Sequence, residues 1–261
     1  MKETVLKVLR ELEAEHGVRV LYACESGSRA WGFASPDSDW DVRFVYLRAP
    51  RDYLSVEEGR RDVIERALDL DDLDVTGWDL PKALRLLRAS NPPLIEWLGS
   101  PLVYRDDLNT RERLRTLLDE AYSPVAARYH YLHMARGNYR DYLRGETVRL
   151  KKYLYVLRPL LAVLWIERGL GPVPTPFAQL LDATVEDAVL RAEIDDLLAR
   201  KAAGGELGEG PRRPVLNAFI ERELHRLEGV RRLTRAPRGD IARFDAVFHD
   251  LLRAAYPQTA L

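Results

Sequence analysis

Residues 25–47 read ESGSRAWGFASPDSDWDVRFVYL, and the fold follows from how this stretch divides. Trp40 to Leu47 is β-branched and aromatic with polar residues alternating at its start, which predicts a strand. On such a strand Asp39, Asp41 and Arg43 share one face, the two aspartate α-carbons roughly 6.5–7 Å apart, while Trp40, Val42 and Phe44 point into the core. Two carboxylates at that spacing can converge on one cation, and hard divalent ions such as Mg²⁺ take carboxylate oxygens together with substrate phosphates. Upstream, Val18 to Cys24 (VRVLYAC) predicts another strand beside the first, running into the turn-rich SGSRAWGFASPDSD. At Gly27 a backbone without a Cβ lets N–H groups approach a phosphate, and the Ser28 hydroxyl adds a hydrogen bond. Each part alone is unspecific, since Asp-x-Asp occurs by chance and a Gly-Ser pair more often marks a plain turn. Their order is specific: strand, Gly-Ser, ten residues, then Asp-x-Asp entering a strand.

That order resembles the nucleotidyltransferase superfamily of DNA polymerase beta, whose signature is a Gly-Ser turn followed by an Asp-x-Asp strand. With GWDLPKALRLLRASNPPLIEWLGSPLVY (77–104) and KKYLYVLRPLLAVLWI (151–166), it is similar to the RNA repair pathway DNA polymerase beta proteins found beside RNA ligases. The resemblance implies an α+β fold whose N-terminal nucleotidyltransferase domain, residues 1–108, is a mixed sheet with flanking helices. It also implies a third carboxylate on a strand after the Asp-x-Asp strand, for which Asp72, Asp74 and Asp79 are candidates. Leu73 to Trp78 reads as that strand, which favours Asp74, whereas Asp79 precedes Leu80-Pro81 and suits a helix N-cap equally well. The acids at 69, 71 and 72 read as a solvated loop.

By the same resemblance, Asp39, Asp41 and Asp74 hold Mg²⁺ or Mn²⁺. Gly27, Ser28 and Arg29 meet the phosphates of a nucleoside triphosphate, ATP among them. A nucleoside monophosphate then passes to a hydroxyl acceptor and pyrophosphate leaves. An RNA end as acceptor, and an RNA ligase as partner in the same pathway, rest on the resemblance alone. Two alternatives stand beside this reading. One is a transferase acting on a protein or small molecule; the other is an inactive nucleotide- or RNA-binding adaptor, against which the retained Gly27, Ser28, Asp39 and Asp41 argue.

From about Asn109 the chain changes to long helical periodicities broken by Pro and Gly, predicting an all-helical second domain over residues 109–261. Helices are expected near 110–122, 124–143, 147–168, 185–202, 214–228 and 240–255, with a flexible loop at 202–214. Lys2 to His16 predicts another helix, closed by Gly17. On the helix containing 151–158, Lys151, Tyr155 and Arg158 recur at spacings of four and three, with Lys152 about 100° around. That face suits a triphosphate and a nucleoside; as plain structure, the cations are surface residues and Tyr155 is core. His130 and His133 stand three apart with no Cys nearby and read as polar helix residues. Glu25 either supports the glycine turn or faces solvent.

The 261 residues carry 40 basic and 41 acidic side chains, a net of −1, which excludes a uniformly basic nucleic-acid coat. Charge is nonetheless divided along the chain. Residues 37–79 hold thirteen acids against six arginines, and residues 128–168 hold nine basic residues against three acids. Carboxylates for metal and cations for polyphosphate require such a division, although charge runs are more often solvated faces. The lone Cys24 forms no intramolecular disulfide, and the charged N-terminus lacks the apolar run of a signal peptide, so a reducing, cytoplasmic setting is expected. No apolar run long enough for a membrane span occurs.

Overall fold

The computed structural model describes residues 1–55, 62–68, 72–204, 207–229 and 239–258. These fall into two units, the first being Met1–Gly27, Asp39–Tyr122 and Pro237–Leu261, the second Ser28–Ser38 and Ser123–Ala236. The division is not a single cut after residue 108, for a reason that lies in the packing of the first unit.

Helix α1 (Lys2–His16) opens that unit and stops at Gly17, as its sequence predicts, and the short helices α2 (Gly27–Trp31) and α3 (Pro50–Tyr53) are the next two along the chain. The sheet consists of β1 (Val18–Glu25), β2 (Trp40–Arg48), β3 (Val63–Leu68), β4 (Leu73–Asp79) and β5 (Val103–Asp106). Its order is β3-β4-β2-β1-β5. β2 and β4 run parallel while the other neighbours are antiparallel, so the sheet is mixed. The α1 stripe of Val5, Val8, Leu9 and Leu12 is buried in one cluster with Val20, Val42, Phe44 and Val75 of the sheet. Each such side chain contributes about 1.5–3 kcal/mol, enough to fix which sheet face packs on α1. That choice leaves Asp41, Arg43 and Asp74 on the opposite face.

β2 and β4 can pair closely because Gly77 stands across from Phe44. A Cβ at Gly77 would lie 2.2 Å from the Phe44 ring. The ring already fills the space that a side chain would need. Gly77→Ala is expected to cost about 1–3 kcal/mol by overpacking, read as a lower denaturant midpoint with an unchanged slope.

On the opposite sheet face lie α4 (Leu80–Arg88), α5 (Pro92–Gly99), α6 (Thr110–Ala121) and α12 (Ile241–Ala255), around a core shared with Leu21, Tyr22 and Val45. Phe244, Leu251 and Leu252 of α12 are buried there beside Leu84, Leu87 and Leu117. Two helices beyond residue 108 thus complete the sheet's own core, which is why the first unit takes back the C-terminal helix.

The second unit contains α7 (Pro124–Tyr142), α8 (Lys151–Glu167), α9 (Phe177–Thr184), α10 (Ala188–Ala202) and α11 (Pro214–Arg226). It is not helical throughout. Thr147–Arg149, expected as the start of a helix, is strand β6, paired antiparallel with β7 (Glu209–Pro211) from the expected loop. Gly205 and Glu206 of that loop lie outside the described residues. α9 was not expected from the sequence; it follows Pro176, which serves as its N-cap residue.

α8 carries Pro159 in its interior, which removes one helical N–H and frees the carbonyl of Tyr155. Asn138 on α7 fills the gap, its Nδ2 donating to that carbonyl at 3.1 Å. Asn138→Leu is expected to remove this bond to a half-buried carbonyl and to lower stability by about 0.5–1.5 kcal/mol, measured by equilibrium unfolding. Residues 28–38 pack through two aromatic rings. Trp31 lies edge-on to Tyr155 with centroids 5.6 Å apart, and Phe33 lies edge-on to Phe177 at 5.5 Å.

Candidate active site

Parallel pairing of β2 with β4 sets Asp41 opposite Asp74. Partners in register on neighbouring strands project to the same side, so the two carboxylates face each other across the strands. Arg43, two residues along β2, reaches between them. Its Nη2 donates to Asp41 Oδ1 at 3.0 Å and to Asp74 Oδ2 at 2.9 Å. Its Nη1 donates to the backbone carbonyls of Val42 at 3.0 Å and Asp74 at 3.2 Å. Asp39 lies one residue before β2 and is exposed. Among the described residues, no three His, Cys, Asp or Glu side chains form a group that could hold a metal ion.

The backbone of Asp41 is fixed from behind. Glu25, fully buried at the end of β1, accepts the Asp41 N–H at 2.9 Å through Oε1 and the Tyr104 hydroxyl at 2.5 Å through Oε2. The Ser26 N–H donates to the Asp41 carbonyl at 2.8 Å. Glu25 is buried rather than facing solvent, and what its side chain is seen to support is the Asp41 backbone on β2. The signal was its place at the end of a strand whose antiparallel neighbour is β2.

Gly27 follows with φ +57°, and a Cβ there would stand 2.0 Å from Asp41 Oδ2. The missing side chain is therefore what lets the turn lie against the carboxylate. Burial pushes the Asp41 carboxyl above its ordinary value; the charges of Asp74 and Asp39 push the same way, against the Arg43 guanidinium.

The other candidates for a third carboxylate are placed differently. Asp79 stands five residues from Asp74 on β4, and an odd spacing turns it to the other face. It is buried, accepts the Tyr53 hydroxyl at 2.5 Å and lies 3.9 Å from Arg48. Although Asp79 is the N-cap residue of α4, its side chain makes no capping bond. Asp72 adopts φ 45° in the turn before β4, and its carbonyl accepts the Trp40 N–H at 2.8 Å. Asp69 and Asp71 lie outside the described residues.

In the second unit, Ser28 is buried and its carbonyl accepts the Phe33 N–H at 3.0 Å. Arg29 donates through Nη2 to the Ser38 carbonyl at 2.6 Å, tying the two ends of the 28–38 segment. Lys151 is exposed and lines a cavity of about 430 Å³ with Arg149, Leu207, Gly208 and Glu209. The Lys152 ammonium lies 4.1 Å from the Tyr142 ring centroid and 5.0 Å from that of Tyr155, a cation–π arrangement. Arg158 corrects its expected place on an open face. It is 1% exposed, with its guanidinium 4.6 Å from the Trp31 ring and Nη2 donating to the Thr175 carbonyl at 3.3 Å. His133 Nε2 lies 2.6 Å from the Tyr129 hydroxyl on the same helix.

The chain belongs to the RNA repair pathway DNA polymerase beta family, which it matches over residues 1–250. It is 46% identical over 241 residues to Uncharacterized protein YcgL of Bacillus subtilis (strain 168), with 92% of each chain covered. A solved nucleotidyltransferase-like protein from Exiguobacterium sibiricum 255-15 is 11% identical, with a TM-score of 0.32 over 95% of this chain and 79% of its own. No helix among the described residues is long and apolar enough to cross a membrane.

Carboxylate oxygens are the ligands that hard divalent cations select. Asp41 and Asp74 supply two such carboxylates across β2 and β4, and the Arg43 guanidinium already bridges one oxygen of each. The donor type of this pair suits a hard divalent ion, which would take its remaining ligands from outside the pair, substrate phosphates among them.

Proposed function

We propose that the protein transfers a nucleoside monophosphate from a nucleoside triphosphate to a hydroxyl acceptor, with release of pyrophosphate, and that the acceptor is an RNA end. The carrying observation is the in-register pairing of Asp41 with Asp74 against a glycine that has no room for a side chain. In this reading Asp39, Asp41 and Asp74 hold Mg²⁺ or Mn²⁺, and the ion when bound lowers the pKa of the acceptor hydroxyl and neutralises phosphate charge.

The chain's own residues supply the rest. Glu25 and Arg43 orient Asp41, whose backbone N–H and carboxylate they respectively bind. The Gly27 backbone, Ser28 and Arg29 bind the phosphates, as the family resemblance implies. Lys151 adds positive charge, and Lys152 with Tyr155 forms a cation and ring pair suited to a nucleotide. Positioning and charge neutralisation account for most of the acceleration in phosphoryl-type transfers. An RNA ligase of the same pathway is the partner that the family resemblance implies; the family description itself names an RNA repair pathway and no partner.

The test is incorporation of labelled triphosphates with Mg²⁺ or Mn²⁺, offered RNA with free hydroxyl ends, protein or small hydroxyl compounds. Metal-dependent labelling of RNA with matching pyrophosphate release is the expected result. Labelling of another acceptor class would replace RNA in the proposal. Nucleotide or RNA binding without pyrophosphate release under any of these conditions would make the protein an adaptor.

A further inference from the structure

The alternation that brings Asp41 to the site brings Arg43 with it, since the two stand two residues apart on β2. Arg43 is not an ordinary surface ion pair. Its side chain is 17% exposed, and four acceptors hold it: two carboxylate oxygens through Nη2 and two main-chain carbonyls through Nη1. The carbonyls belong to the strands themselves, so the guanidinium cannot drift without leaving fixed partners. It engages one oxygen from each aspartate, so an ion shared by the pair would have to compete with the guanidinium for them. Two cations competing there repel, and away from bulk water that repulsion is only partly screened.

We propose that Arg43 is a resident counter-cation that keeps the Asp41–Asp74 pair from binding a bare divalent ion tightly, and yields to an ion arriving with a nucleoside triphosphate. The inference rests on the transfer reaction proposed above and adds an order of binding to it. A triphosphate brings negative charge that offsets the second cation. It also offers the displaced guanidinium new acceptors, because the planar fork of Arg matches phosphate oxygens as well as carboxylates. A free ion offers neither, so the pair stays with Arg43 until substrate is present.

The experiment is Mn²⁺ titration of the full chain by calorimetry, with and without a non-transferable triphosphate analogue. Wild type is expected to bind Mn²⁺ weakly alone and tightly with the analogue. Arg43→Gln should bind Mn²⁺ alone about tenfold more tightly or better, because one competing charge is gone. Mn²⁺ should then raise its melting temperature more than that of wild type. Arg43→Lys should fall between the two, since one ammonium cannot reproduce the fork. Arg43→Gln binding Mn²⁺ no more tightly than wild type would overturn the inference, as would wild-type affinity indifferent to the analogue. If Arg43→Gln does not fold by circular dichroism, Arg43→Lys decides: unchanged Mn²⁺ affinity overturns the inference and tighter binding upholds it. Asp41→Asn and Asp74→Asn separate the two levels. Should they leave Mn²⁺ binding with the analogue intact, the carboxylate pair is not the ion site and the proposed function fails. Should they abolish it while the Arg43 variants match wild type, only the role of Arg43 fails.

Discussion

Asp41→Asn is expected to lower nucleotide transfer by roughly 10³-fold or more, the upper range for loss of a charge-stabilising group, and to raise the melting temperature at neutral pH. The two effects share one cause. Asn keeps the shape of Asp and an oxygen for the Arg43 Nη2 bond, but removes the negative charge that burial, Asp74 and Asp39 make unfavourable and that Arg43 only partly offsets. Because the folded-state carboxyl sits above its ordinary value, its contribution to stability is complete below the unfolded carboxylate range. That contribution is lost as pH rises through the raised value. Wild type and variant should therefore melt alike near about pH 4 and diverge toward about pH 7.5, the variant higher. Thermal melts in chelator at the two pH values measure this beside the incorporation assay. A variant less stable at neutral pH would mean that the Arg43 bond outweighs the cost of burial. Asp74→Asn is the companion for activity, since its side chain is 48% exposed and offers less burial to relieve.

Local pattern and long-range placement contributed unequally to what could be read in advance. β2 was legible because Trp40, Val42 and Phe44 alternate with the polar Asp41 and Arg43 at the strand's start. α1 was legible because four apolar residues share a stripe ending at Gly17. Asp74 could be favoured over Asp79 from strand position, but its facing of Asp41 depends on which strands are neighbours. Parallel pairing of β2 with β4 leaves no mark in either segment. The same holds for α12, whose burial against the sheet's helical layer is a contact across more than a hundred residues. Three-residue strands such as β6 and β7 are too short for a period to register. Arg158 looked like a surface cation because the ring it lies under, Trp31, comes from a distant segment. Arg43 was correctly placed on the aspartate face, yet spacing alone does not say that one guanidinium spans two carboxylates.

Gly27→Ala tests the geometry of the turn without altering any charge, and two independent penalties make its expected effect large. The residue adopts φ +57°, where an alanine Cβ meets its own backbone at a cost of about 1–2 kcal/mol. That Cβ would also lie 2.0 Å from Asp41 Oδ2 and 2.9 Å from Asp41 Cγ, far inside contact distance. Relief requires movement of the turn or of the carboxylate. The carboxylate is bound to Arg43, and the Asp41 backbone is bonded to Glu25 and Ser26, so a shift of one breaks bonds on the other side. A displacement near 1 Å at a reacting group costs on the order of 10²-fold in rate. Transfer should accordingly fall by at least about that factor. Affinity for the triphosphate should change less if the phosphates are held mainly by side chains, which a KM-against-kcat comparison resolves. Gly27→Ser would add the same Cβ and should behave alike. Wild-type transfer in either variant would show that the close approach of turn and carboxylate has no part in the reaction.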